Sequence, residues 1–133
     1  MKKLQSLISW ERTLIIKNIL VRMKLCFDLD GTLCTNTYGE YEKAIPNTKA
    51  IEKINRLFDD GHYIIIFTAR YMGKFKGDIK KVNEYGYSKT KKQIDNWNLK
   101  YNDLILGKPE FDLVIDDKNF DYNEDWINNN FIE

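Results

Sequence analysis

Residues 63–67, Tyr-Ile-Ile-Ile-Phe, run without a polar interruption and end on Thr68. A run this short and this continuous predicts a strand buried on both faces of a parallel sheet. A half-exposed strand would alternate apolar with polar residues. Leu25-Cys26-Phe27, Leu104-Ile105-Leu106 and Leu113-Val114-Ile115 repeat the pattern at shorter length. Between the strands lie helical patterns. Ile51, Ile54, Leu57 and Phe58 follow 3.6-residue spacing after Asn47 or Thr48 as cap, and Asp60-Gly61 stops them. A weak helix is expected over 78–85 and a better one from Thr90 to Leu99, whereas 33–46, with Asn36, Gly39 and Pro46, reads as a loop or small hairpin. Trp126, Ile127, Phe131 and Ile132 suggest a closing helix. Strands alternating with helices predict an α/β fold, a right-handed parallel sheet with helices on both faces.

The chain has 133 residues, enough for one domain and one core. Hydrophobic residues at 43% and charged residues at 31% exclude disorder. With 21 Lys and Arg against 20 Asp and Glu, no overall basic field points to nucleic acid. Two cysteines, Cys26 and Cys34, are too few for a disulfide scaffold and read as buried small apolar residues. The charge is uneven, since residues 1–22 carry Lys2, Lys3, Arg12, Lys17 and Arg22 against Glu11 alone. Apolar residues at 4, 7, 8, 14, 15 and 19 give this stretch helical spacing, as a basic amphipathic extension ahead of a domain over 23–133. Glu11, Arg12 and Lys17 break every apolar run too early for a signal peptide, and no run approaches the ~20 residues of a membrane span. A cytoplasmic protein is expected.

In an open parallel sheet, ligands bind beyond the carboxyl ends of the strands. Those ends carry Asp28 and Asp30, then Thr68, then Asp116 and Asp117, with Lys108 on the connection into the last predicted strand. Four carboxylates on one sheet edge repel one another without a cation. Oxygen-only donors point to Mg²⁺ rather than zinc. The single histidine, His62, precedes a strand, so His-based triads and His-metal sites lack material. Cys34 sits near the first acidic pair but has no base beside it in the sequence.

Phe27-Asp28-Leu29-Asp30-Gly31-Thr32-Leu33 resembles the first signature of the haloacid dehalogenase superfamily, in its phosphatase branch. Ile64 to Thr68 resembles the second signature, Lys108 the third, and Ile115-Asp116-Asp117 the fourth, in the family's order. The resemblance runs from about residue 24 to 121 and implies the superfamily's Rossmann-like fold and its chemistry. Asp28 would be the nucleophile that forms an aspartyl-phosphate, and Asp30 the acid that protonates the leaving oxygen and then activates water. The acid role requires a protonated carboxyl, which repulsion from neighbouring aspartates would favour. Thr68 would bond a phosphoryl oxygen, and Lys108 would place positive charge on that group and on Asp28. Mg²⁺ would be held by Asp28, the backbone carbonyl of Asp30, Asp116 and Asp117, with Asp121 able to stand in for Asp117.

The gaps 33–63 and 69–107 hold only a loop and ordinary crossover elements, so no large cap domain is expected. An open site implies either a large substrate or a neighbouring subunit over it, as in a homo-oligomer. Thr68 to Gly77, with Arg70, Lys74 and Lys76, is a basic aromatic loop at the site edge in which Arg70 is expected to touch substrate. With Lys118, it is similar to small phosphatases of bacterial capsule and surface-polysaccharide clusters, which act on phosphorylated sugars or polyols. A phosphomutase could use the same two aspartates but would be expected to exclude water with a cap. A receiver-like phospho-acceptor module would put its single acceptor Asp on a middle strand, where this chain has Thr68.

Overall fold

The structure, a computed structural model, describes residues 22–129. The amphipathic extension expected over 1–22 therefore lies, Arg22 apart, outside the described residues, as do Phe131 and Ile132 of the expected closing helix. Three parallel strands, β1 (Lys24–Phe27), β2 (Tyr63–Thr68) and β3 (Asp103–Leu106), lie side by side in that order. In register, Phe27 pairs with Ile66 and Ile66 with Leu104. Helix α1 (Thr48–Asp59) connects β1 to β2, and α2 (Ile79–Asn96) connects β2 to β3. The α/β parallel fold expected from the sequence is the one observed, and no separate cap is evident among the described residues.

Local chemistry explains both helices. The Asn47 side chain accepts a hydrogen bond from the Ala50 N–H at 3.2 Å, and Asp78 accepts one from Lys81 N–H at 3.2 Å, each satisfying a donor that a first helical turn leaves open. Ile51, Ile54 and Leu57 of α1 pack with Val82 and Ile94 of α2 and with Ile64, Ile66, Leu104 and Leu106 in one core. Fully burying each such side chain contributes about 1.5–3 kcal/mol. The two helices predicted over 78–85 and 90–99 are a single helix. Val82, Gly86, Thr90 and Ile94, four residues apart, form its buried stripe, and that packing overrides the poor helix propensity of glycine and threonine.

Four further expectations need correction. β2 is not equally buried on its two sides: Ile64, Ile66 and Thr68 are at most 1% exposed, whereas Tyr63 is exposed and Ile65 and Phe67 are half-buried. Cys26 shares that less covered side and is exposed, while Cys34 is buried as expected.

Residues 113–115 do not form a strand. Leu113 and Ile115 are 77% and 93% exposed. Only six residues separate β3 from Leu113, too few for the crossover of about 10–12 residues that carries a chain back to a parallel strand. The closing helix is a short 3-10 helix, Glu124–Asn128, whose Trp126 packs on Phe27 with ring centroids 5.8 Å apart. Lys53 of α1 fastens this tail by donating to the carbonyls of Trp126 and Ile127 at 3.1 and 2.9 Å, and to that of Asn129.

Candidate active site

β1 delivers Asp28 to the carboxyl edge of the sheet, and the chain then folds back in a tight turn. Thr32 and Leu33 N–H both donate to the Leu29 carbonyl, and Gly31 N–H donates to Cys34. The turn brings Thr32 Oγ1 to 3.1 Å from Asp28 Oδ2. β2 ends beside it on Thr68, which is buried and accepts the Arg70 N–H on its hydroxyl at 3.2 Å. β3 runs out into Gly107, whose φ of +103° is a conformation that side chains with a Cβ rarely adopt. That bend lets Lys108 N–H donate to the Thr68 carbonyl at 3.2 Å, and it aims the Lys108 ammonium at Asp28 Oδ1, 3.1 Å away. Both side chains remain partly open, Asp28 at 37% and Lys108 at 20% exposure.

Asp28 and Lys108 therefore meet, and Thr68 borders the same cavity as Asp28. The Lys108 ammonium and the Thr32 hydroxyl, both donating to the Asp28 carboxylate, keep it oriented and place positive charge beside it.

Arg70 reaches back from the end of β2 to Asp30. It is 2% exposed and forms a two-pronged ion pair with Asp30, Nε to Oδ2 at 2.8 Å and Nη2 to Oδ1 at 2.9 Å. Its guanidinium also donates to Gln93 Oε1 at 2.6 Å and lies over the Tyr41 ring, 4.7 Å from its centroid. Burial alone would disfavour this charge, but the hydrogen bonds and charge of Asp30 outweigh it and raise the Arg70 pKa further. Arg70 thus holds Asp30 in place and, though buried, borders the same cavity as Asp28, Asp30 and Thr68. The neighbour expected to govern Asp30 was another aspartate. The neighbour found is a guanidinium.

Asp116 and Asp117 are exposed and lie on the segment that does not join the sheet. Asp116 accepts the Lys118 N–H at 2.9 Å, and that bond, with a smaller contribution from Asp117, holds its carboxyl below the usual range. Asp121 is exposed as well. The donors have the hard oxygen chemistry that suits Mg²⁺. Among the described residues, however, no three acidic, histidine or cysteine side chains gather closely enough to hold an ion. The Asp28 carboxylate is instead engaged by Lys108, and Asp116 and Asp117 lie on the exposed segment. The expected four-residue cation site is not assembled.

Cys34 lies under the turn. Its pKa is pushed up to about 12, chiefly by burial and then by the charge of Asp30, so it is no nucleophile.

A cavity of about 980 Å³ opens in front of Asp28, Asp30 and Thr68 and continues along α2 past Gln93 and Lys89 to Tyr85. Gln93 escaped the sequence reading. It ties Arg70 to the short 3-10 helix Tyr41–Lys43 by donating to the Tyr41 carbonyl at 2.8 Å. Tyr85, Lys89 and Gln93 recur every four residues, a helical face that a continuous α2 would have exposed to inspection.

Residues 25–90, from β1 into the middle of α2, match the family model of haloacid dehalogenase-like hydrolases. The matched segment contains Asp28, Asp30, Thr68 and Arg70 and stops before Lys108 and Asp116. No curated protein matches the chain. The fold resembles a crystal structure of a structural-genomics target from Vibrio cholerae, 28% identical, with a TM-score of 0.69 over 80% of this chain and 94% of that one. A strand-end aspartate braced by a lysine, a family match across both aspartates and a fold likeness over 80% of the chain together support the haloacid dehalogenase superfamily, and a hydrolase, for this chain.

Proposed function

We propose that the protein is a capless phosphomonoester hydrolase that works through an aspartyl-phosphate on Asp28. The observation that carries this reading is the Asp28 carboxylate at a strand end, held by Lys108 and Thr32 and left 37% exposed toward the cavity. One oxygen of Asp28 attacks phosphorus in line, the bond to the leaving oxygen breaks, and the phosphoryl charge is met by Lys108 and the Thr68 hydroxyl. Asp30 gives a proton to the leaving oxygen and then takes one from the water that hydrolyses the acyl-phosphate. Both Asp30 oxygens rest on Arg70, so this role requires one of those two bonds to open as substrate enters.

Magnesium dependence belongs to the proposal on the chemistry of the oxygen donors alone. It requires Asp116 or Asp117 to approach Asp28, which the described geometry does not provide. The resemblance of the Thr68–Gly77 loop supports a phosphorylated sugar or polyol of surface-polysaccharide synthesis as the substrate, handled in the cytoplasm.

The test uses p-nitrophenyl phosphate and acetyl phosphate with Mg²⁺. Wild type should turn over many times and lose activity in excess chelator. Asp28→Asn should be inactive. Asp30→Asn should trap phosphate on the peptide that contains Asp28, because water attack slows by about 10²–10⁴-fold without its base. Stable phosphate on the wild type without turnover would identify a phospho-acceptor module instead.

A further inference from the structure

The cavity in front of Asp28 is at the upper end of the roughly 300–1,000 Å³ that pockets for whole drug-sized ligands occupy. A phosphoryl group on Asp28 uses only one end of it. From there a line of aromatic rings leads away. The Arg70 guanidinium covers Tyr41, Tyr41 meets Tyr71 edge-on at 5.0 Å between centroids, and Tyr71 meets Tyr85 edge-on at 5.2 Å. Gly86 makes the line possible, because a methyl group at that position would collide with the Tyr71 ring. Tyr85 stands eight residues before Gln93 on α2, about 12 Å along the helix at ~1.5 Å per residue.

At that far end two cations converge on one ring. Lys89 Nζ lies 3.7 Å and Lys74 Nζ 4.0 Å from the Tyr85 centroid, one lysine from α2 and the other from the loop after β2. Lys92 lines the same wall, three residues beyond Lys89. Glu42 and Glu110 also border the cavity, but among the described residues none of these three lysines has a carboxylate within ion-pair distance. The two ammonium groups draw the Tyr85 phenol below its usual pKa through hydrogen bonds and charge. Like charges gathered on one phenol repel each other, and an anion bound between them removes that repulsion.

We propose that Lys74 and Lys89, with Lys92 beside them, bind a second anionic group of the substrate. The substrate would then be an elongated sugar or polyol phosphomonoester bearing a phosphate or carboxylate far from the scissile phosphorus. Tyr41, Tyr71 and Tyr85 border the space between the two ends, where the sugar or polyol body would lie. The assignment of the near end rests on the phosphatase reading above. The far end stands on the lysine–tyrosine cluster itself.

The experiment compares kcat/KM for fructose 1,6-bisphosphate, 6-phosphogluconate, fructose 6-phosphate and p-nitrophenyl phosphate in the full chain with Mg²⁺. Wild type should prefer a doubly anionic substrate over fructose 6-phosphate. Lys74→Ala and Lys89→Ala should each reduce that preference about 10–100-fold, mainly through KM, as expected for losing a charged hydrogen bond. Lys89→Arg should keep most of it, and Lys91→Ala, whose ammonium pairs with Asp95 and Tyr101 away from the cavity, should leave it intact. The bisphosphate and carboxylate arms show which anion the site takes. Preference ratios that do not move in either alanine variant would overturn the subsite while leaving the phosphatase standing. If wild type hydrolyses none of the four, the phosphatase reading falls. Calorimetric titration with fructose 1,6-bisphosphate then decides the subsite, and equal affinity in wild type and Lys89→Ala would refute it.

Discussion

Replacing Asp30 by asparagine removes the carboxylate from a guanidinium that is 1% exposed, while Asp30 itself is 16% exposed. The two partners should therefore respond unequally. Left alone, Arg70 is too deeply buried to regain water, so Asp30→Asn should cost about 3–5 kcal/mol, the range for breaking a buried pair. The open edge of Asp30 and the amide oxygen that asparagine retains place the expectation near the lower end. Arg70→Met leaves a carboxylate that water can reach and removes the desolvation of the guanidinium, so its cost should be smaller, about 1–3 kcal/mol. The double variant should be more stable than the sum of the two losses implies, because neither charge is then stranded. Urea unfolding followed by far-UV circular dichroism measures this. With an m-value of about 1.5 kcal/mol/M, a 3 kcal/mol loss moves the midpoint by about 2 M. If Asp30→Asn unfolds within ~0.5 M of wild type, or if Arg70→Met is the more damaging change, the buried geometry argued for Arg70 is wrong.

Thiol labelling of the native protein at pH 8 should modify exposed Cys26 and spare Cys34, whose thiolate fraction at a pKa of about 12 is only about 10⁻⁴. Because that pKa is raised by folding, the stability that Cys34 contributes is complete below its unfolded value near 9 and is lost as pH rises toward 12; a stability that climbs across this interval in wild type but not in Cys34→Ala would contradict it. Gly86→Ala should gain helix propensity of about 1 kcal/mol yet lose about 1–3 kcal/mol by displacing the Tyr71 ring, so a net stabilisation in thermal melts would show that the ring does not lie against α2. Lys53→Met should release the tail and redden the emission of Trp126, with a loss of about 1–3 kcal/mol, and an unchanged spectrum would mean that Trp126 is held by Phe27 alone.

Much of this protein was legible wherever the information was local. The Ile51–Leu57 spacing gave α1, the unbroken run 63–67 gave β2, and the strand-ending Asp28 and Thr68 with Lys108 gave the centre of the candidate site. Each depends on neighbours a few residues away or on a strand terminus, and periodicity records both. Three features depended on groups far apart in the chain. Residues 86–89 read as a gap between two helices until packing against the sheet and against Tyr71 made one helix of them. Leu113-Val114-Ile115 has strand composition, but a strand also needs a partner edge and a connection long enough to reach it, and composition carries neither. Arg70 follows a strand end, where exposure is the ordinary expectation. Only the tertiary structure brings Asp30, 40 residues earlier, and Gln93, 23 residues later, around its guanidinium and makes it a buried brace. Sequence pattern determined which elements form and which end of the sheet carries chemistry. Which charges face one another was decided by tertiary packing, because an ion pair depends on distance through space and not on spacing along the chain.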